Sequence, residues 1–123
     1  MSLPAILTCL GIGIVGGVIA ALCGVGGGVV MVPAFVFLLK MPQKMAVATS
    51  LAVIIPTAVM ATSQNMRNQY VDWKVALVTA ISASLFAYFG AGWLKTMSNE
   101  TLTRIFGTVL VIFGLRMLLQ GKA

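Results

Sequence analysis

Cys23-Gly24-Val25-Gly26-Gly27-Gly28 lies inside residues 3–39, a run of 37 residues without one charged side chain. A helix crosses the hydrocarbon core of a bilayer in about 20 apolar residues, so this run is too long for one straight crossing. Glycine weakens helix continuity and opens backbone conformations closed to other residues. That places the interruption at Gly24 to Gly28. In lipid, backbone groups have to be satisfied inside the protein, and irregular chain at membrane depth persists only where protein buries it or water reaches it. The stretch is expected to be either a broken crossing helix or the tip of a re-entrant hairpin.

Further along the chain, uncharged segments cover 45–66, 75–94 and 105–115, the last extending to Leu119 across Arg116. Their boundaries carry turn and interface residues. Lys40-Met41-Pro42-Gln43-Lys44 is a tight polar turn, Tyr70 and Trp73 stand where interfacial aromatics are expected, and Ser98 and Thr101 are candidate N-caps. The expected fold is an all-α integral membrane protein with about four hydrophobic helical segments. It forms a single transmembrane domain over 1–123, with 3–39 as broken helix or hairpin and crossing helices at 45–66, 75–94 and 105–119. The first segment does not read as a cleaved signal: its start has no Lys or Arg, and Leu22 precedes Cys23 where a lipoprotein signal wants a small residue.

Composition agrees with a place in the bilayer. Hydrophobic residues make up 60% of the chain, charged residues 8%, and mean hydropathy is +1.08, whereas soluble domains carry about 25% charged residues. The net charge of +6 is dispersed along the chain, so no basic patch for nucleic acid forms. Histidine is absent, Asp72 and Glu100 are the only acids, and Cys9 and Cys23 lack metal-ligand spacing. Metal hydrolysis, Ser-His-Asp triads and carboxylate-pair mechanisms lack their parts. The chain is not expected to be an enzyme, nor to carry a cofactor or metal; both cysteines read as small membrane-embedded residues.

A helix resuming near Val29 points an N-terminus with unpaired N–H groups into the protein interior, a ready anion site when glycines let a ligand approach the backbone. This favours a small anion as substrate. Gly13-x-x-x-Gly17 and the Gly16, Ala20, Gly24 series read as close helix packing. Three consecutive glycines do not fit helical packing and read as a functional break. In the second segment, Pro56 frees a carbonyl that neighbouring hydroxyls such as Thr57 can satisfy, and Thr62-Ser63-Gln64-Asn65 marks the exit. Any one hydroxyl more often bonds back one turn. The small residues of the third segment, from Ser82 to Gly92, and Gly107 with Gly114 on the fourth, read as packing faces.

The string Gly24-Val25-Gly26-Gly27-Gly28-Val29-Val30-Met31-Val32-Pro33, then Ala46-Val47-Ala48-Thr49-Ser50-Leu51, then Tyr70-Val71-Asp72-Trp73-Lys74, resembles the sulfite exporter TauE/SafE family of membrane transporters over roughly 11–119. Ala48 and Gln69 depart from it, each standing where that family commonly has glycine. Members usually hold two copies of this unit, and one glycine break, one Thr-Ser pair and one Val-Asp-Trp are found here. The chain looks like a half-transporter that a homodimer would complete. The resemblance implies transport of sulfite, sulfonates or related small sulfur-containing anions across a bacterial or archaeal plasma membrane, by alternating access. Gly24, Gly26, Gly27, Gly28, Thr49 and Ser50 would then hold the anion with Cys23 bordering them, and Pro33, Pro56 and Thr57 would kink or line the path. A dimeric anion channel would use the same residues, and a non-transporting membrane subunit would use the glycines only for packing.

Whether residues 3–39 cross or return, Lys40, Lys44, Lys95 and Arg104 share one side, opposite Arg67, Lys74, Arg116 and Lys122. Four against four gives no orientation by the positive-inside rule. A hairpin puts the termini on opposite sides and suits an inverted dimer; four crossings suit a parallel pair.

Overall fold

Ser2 starts the first helix in extended backbone and accepts a hydrogen bond from the Ala5 N–H at 3.4 Å, and Pro4 sits in the opening turn where its missing N–H costs nothing. Helix α1 then runs Leu3–Cys23. Gly24 ends it with φ 70°, the left-handed conformation that favours glycine, and its N–H donates to the Ala20 carbonyl at 2.9 Å. The computed structural model describes residues 2–24 and 28–121. Gly26 and Gly27 of the expected site lie outside the described residues, as does Lys122.

The chain resumes as α2, Gly28–Leu38, followed by α3, Gln43–Arg67, α4, Trp73–Trp93, and α5, Asn99–Gln120. Among the described residues four helices (α1, α3, α4 and α5) are long and apolar enough to cross a membrane, and the protein is a multi-pass integral membrane protein. At about 1.5 Å per residue, α2 is only about 16 Å long, half a crossing.

Helix α2 folds back along α1. A Cβ at Gly16 would come within 2.9 Å of Met31 Cε, and Thr8, Gly11, Ile12 and Val15 share one apolar groove with Val30, Ala34 and Leu38. Two helices can make both contacts only when antiparallel. Helix α3 in turn runs parallel to α1, because Cys9 and Ile12 meet Thr49 and Val53 while Ala20 and Gly24 meet Thr57 and Ala61. The first segment is thus a hairpin with a full-length first arm and a short return. Of the two sequence readings, the broken single crossing is set aside by the Gly16–Met31 approach.

The core is the triple contact of α1, α2 and α3. Ile12, Met31, Val32, Phe35 and Ala46 are buried together, and Phe106 of α5 packs on their edge. A second tie joins α5 to α3: the Lys44 N–H, which has no cap from Pro42, donates to Asn99 Oδ1 at 3.1 Å. Both helices therefore begin at the same end of the molecule, and α4, which lies between them in the chain, runs back from the far end. Asp72 caps α4 by accepting the Val75 N–H at 3.2 Å, and Ser98 caps α5 by accepting the Thr101 N–H at 3.1 Å. Neither α4 nor α5 contains a buried residue.

Candidate functional site

Hairpin tip and α3 build the site together. Ile54, Thr57, Ala58, Ala61, Thr62 and Asn65 recur at helical spacing and so share one face of α3. Opposite them stand Ala20, Ala21 and Gly24 at the end of α1, and between the two walls lies a groove of about 400 Å³. Gly24 is thus level with the C-terminal half of α3. Alanines and glycine keep the walls apart, because any larger side chain at 20, 21, 58 or 61 would fill the space.

The groove's chemistry is neutral and polar at one side. Thr57, Thr62 and Asn65 supply its side-chain oxygens and nitrogen, and no charged side chain lines it among the described residues. The Thr57 hydroxyl donates to the Val53 carbonyl at 2.8 Å, which leaves only its lone pairs for a ligand. That bond serves Val53 and not Ala52, whose carbonyl is the one Pro56 deprives of its usual N–H. The expected rescue of the proline carbonyl by Thr57 therefore does not occur. The remaining described groups at the break are Cys23, exposed at the end of α1, and Gly28, where a Cβ would stand 3.7 Å from Ile54 Cδ1 in ordinary contact. The positive φ at Gly24 is a conformational requirement for glycine, and Gly28 shows none.

Thr49 and Ser50 lie one to two turns along α3 from this groove, toward Gln43. Ser50 is 3% exposed and its hydroxyl donates to the Val47 carbonyl at 2.9 Å. Thr49 lines a separate cavity of about 300 Å³ with Cys9, Ile12, Gly13, Met31 and Phe35, apolar on nearly every side. Adjacent residues on a helix diverge by about 100°, so the two hydroxyls face different neighbours. Pro33 sits inside α2 on its way back from the tip. Thr62 and Asn65, read from the sequence only as part of an exit, are the polar side chains that the fold brings to Gly24. Their spacing from Thr57 on one helical face was the signal available.

The profile of the sulfite exporter TauE/SafE family matches residues 9–123. The chain is 32% identical over 112 residues to the probable membrane transporter protein YunE of Bacillus subtilis, covering 91% of this chain and 41% of that protein. It is 28% identical over 124 residues to a probable membrane transporter protein of Haemophilus influenzae, covering 95% of this chain and 47% of that one. A further similar protein, from the archaeon Methanocaldococcus jannaschii, is 27% identical over 107 residues, 81% of this chain and 40% of its own length. The chain thus spans less than half the length of the curated relatives it matches. No solved structure matches it significantly.

Proposed function

The chain belongs to the sulfite exporter TauE/SafE family, and on that premise we propose that it is the repeating unit of a secondary transporter for small sulfur-containing anions such as sulfite or sulfonates. The observation that carries this reading is the hairpin tip, whose glycine cap faces a neutral polar groove alongside α3 instead of lying beyond the helix end. Anions are favoured because α2 resumes at Gly28, and a helix N-terminus, the positive end of the helix dipole, suits a negative ligand. A drug-cation exporter would want an acid at membrane depth, and no acid lines the groove.

In this reading Gly24 to Gly28 form the backbone part of the site, with Cys23 at its border. Thr57 marks the path along α3, with Pro56 loosening that helix beside it, while Thr49 and Ser50 stand one to two turns outside this groove and Pro33 lies within α2. Two copies complete the unit. The hairpin puts the described ends of the chain on opposite sides, and Lys40, Lys44, Lys95 and Arg104 oppose Arg67, Lys74 and Arg116, so insertion in either sense carries little penalty. An inverted homodimer with the two tips meeting near midplane, rocking between inward- and outward-open states, follows from that symmetry.

Proteoliposomes loaded with labelled sulfite test the proposal. Saturable, ion-coupled flux is expected, abolished by Gly27→Asp with expression and dimerisation intact. Uncoupled ohmic flux would make the protein a channel, no flux a non-transporting subunit, and normal flux by Gly27→Asp would move the site elsewhere.

A further inference from the structure

Two apolar grooves run along the hairpin and end at the same place. In one, Gly11, Ile12 and Val15 of α1 face Val30, Ala34 and Leu38 of α2 across about 420 Å³. In the other, Ile12 and Gly13 face Met31, Phe35 and Leu39, with Val53 of α3 beyond, across about 300 Å³. Ile12 lines both and stands as the ridge between them. Residues 30, 34 and 38 and residues 31, 35 and 39 are neighbouring stripes of α2, so each groove follows that helix for about 12 Å. Both reach its last turn, where the chain passes through Lys40-Met41-Pro42-Gln43-Lys44 to start α3.

That corner is basic. Lys40 is exposed and Lys44 half-buried, and neither enters an ion pair among the described residues. Of the two acidic side chains, Glu100 is held by Arg104 at 2.8 Å, and Asp72 caps α4 at the opposite end. Lys40 also takes φ 56°, a conformation open to glycine and costly for a lysine. The turn brings the Met41 N–H to the Phe35 carbonyl at 3.2 Å, which glycine would achieve without strain. Strain of this kind persists where the surroundings hold it, and what lysine adds over glycine at that corner is a charge. Because α3 and α5 both begin at this end and span the membrane, the corner lies at a membrane surface and the grooves descend from it toward midplane.

Paired apolar grooves joined at a basic surface corner match an amphiphile with two hydrocarbon chains and a negative head. A soluble anion would leave the grooves unfilled, and a zwitterionic lipid would bring its own cation to the lysines. We infer that the corner binds an anionic diacyl phospholipid, with one acyl chain in each groove and the phosphate at Lys40 and Lys44. Basic pockets between membrane helices recognise anionic head groups in this way. The site lies at the other end of α2 from the groove at Gly24, and it stands whether or not the chain carries sulfite.

Native mass spectrometry of the purified full chain in detergent, titrated with dioleoyl phosphatidylglycerol or dioleoyl phosphatidylcholine, tests it. One phosphatidylglycerol per chain is expected, bound at least about fivefold more tightly than phosphatidylcholine. A lysine beside an anionic head group is worth about fivefold in affinity, so Lys40→Gln and Lys44→Gln should each weaken phosphatidylglycerol by about that factor and leave phosphatidylcholine unchanged. Lys74→Gln, the same loss of charge at the opposite end, should have no effect. Gly11→Leu and Gly13→Leu each put a side chain into one groove, where a Cβ meets nothing within 4 Å, and should weaken phosphatidylglycerol severalfold. Gly17→Leu, which lines neither groove, should not. If Lys40→Gln fails to fold, Lys40→Gly removes the charge from a turn that suits glycine and carries the same expectation. Equal affinity for the two lipids, or phosphatidylglycerol binding that ignores the lysine and groove variants, would overturn the site. A dimer that takes up no lipid would place a second copy over the grooves and overturn it too.

Discussion

Gln69 takes φ 57°, a left-handed conformation that costs a residue with a Cβ about 1–2 kcal/mol. It does so to finish α3: the Gln69 N–H donates to the Met66 carbonyl and the Tyr70 N–H to the Asn65 carbonyl, both at 3.1 Å, the paired closure that usually recruits glycine. The departure from glycine noted in the sequence thus has a physical meaning, and Gln69→Gly is expected to stabilise the protein by about 1 kcal/mol, seen as a raised melting temperature in detergent. Gly16 shows the opposite case. Its conformation is ordinary, but an added Cβ would meet Met31, itself 1% exposed, at 2.9 and 3.0 Å. Gly16→Leu should pry α2 from α1 and destabilise by about 1–3 kcal/mol or more, while Gly17→Leu, with nothing within 4 Å, should leave the melting temperature nearly unchanged. The sequence marked these glycines as a group. It did not separate Gly16, which packs on Met31, from Gly13 and Gly17, where an added Cβ would find nothing within 4 Å among the described residues, because that depends on which way α2 returns.

Helical segments were legible because each is apolar for a membrane's width and bounded by charges or turn residues. Ser98 was likewise recognised as a cap, whereas the cap at Asp72 came only with the structure. The direction of α2 was not legible, since residues 3–39 divide the charges four against four whether they cross or return. Nor was the capping of α3 from another helix. Pro42 cannot cap, and the acceptor arrives from Asn99, 55 residues later. Asn99→Ala is expected to leave the Lys44 N–H unpaired at about 1 kcal/mol and to loosen α5 from α3, measurable as faster proteolysis at the α4–α5 connection. The neighbouring Glu100–Arg104 pair at 2.8 Å is about three-quarters exposed on both sides and contributes little, so Glu100→Gln should be neutral in the same assay. The candidate site was legible at the tip, where the glycines stand together, and less so on α3. Thr62 and Asn65 are ordinary helix residues until the hairpin brings Gly24 opposite them.

At the scale of the whole molecule the surface is large: 9416 Å² is exposed, where a compact chain of 12.9 kDa exposes about 6300 Å². Helices α4 and α5 both contribute to it, neither containing a buried residue, and nothing described lies within 4 Å of a Cβ at Gly90 or Gly92 of α4. Small residues of that kind let helices approach closely in lipid, which accords with a second copy covering this face. Native mass spectrometry from detergent or nanodiscs is expected to give a dimer, and Gly90→Leu to shift it toward monomer; a monomeric wild type would remove the dimer from the proposal. The central claim is that the hairpin tip is reached by water and by anions at membrane depth, and Cys23 beside Gly24 reports on it directly. In a Cys9→Ala background, the rate at which Cys23 reacts with a membrane-impermeant anionic methanethiosulfonate should be appreciable in intact membranes and slowed by added sulfite. A Cys23 that stays inert, or whose rate ignores sulfite, would contradict the account.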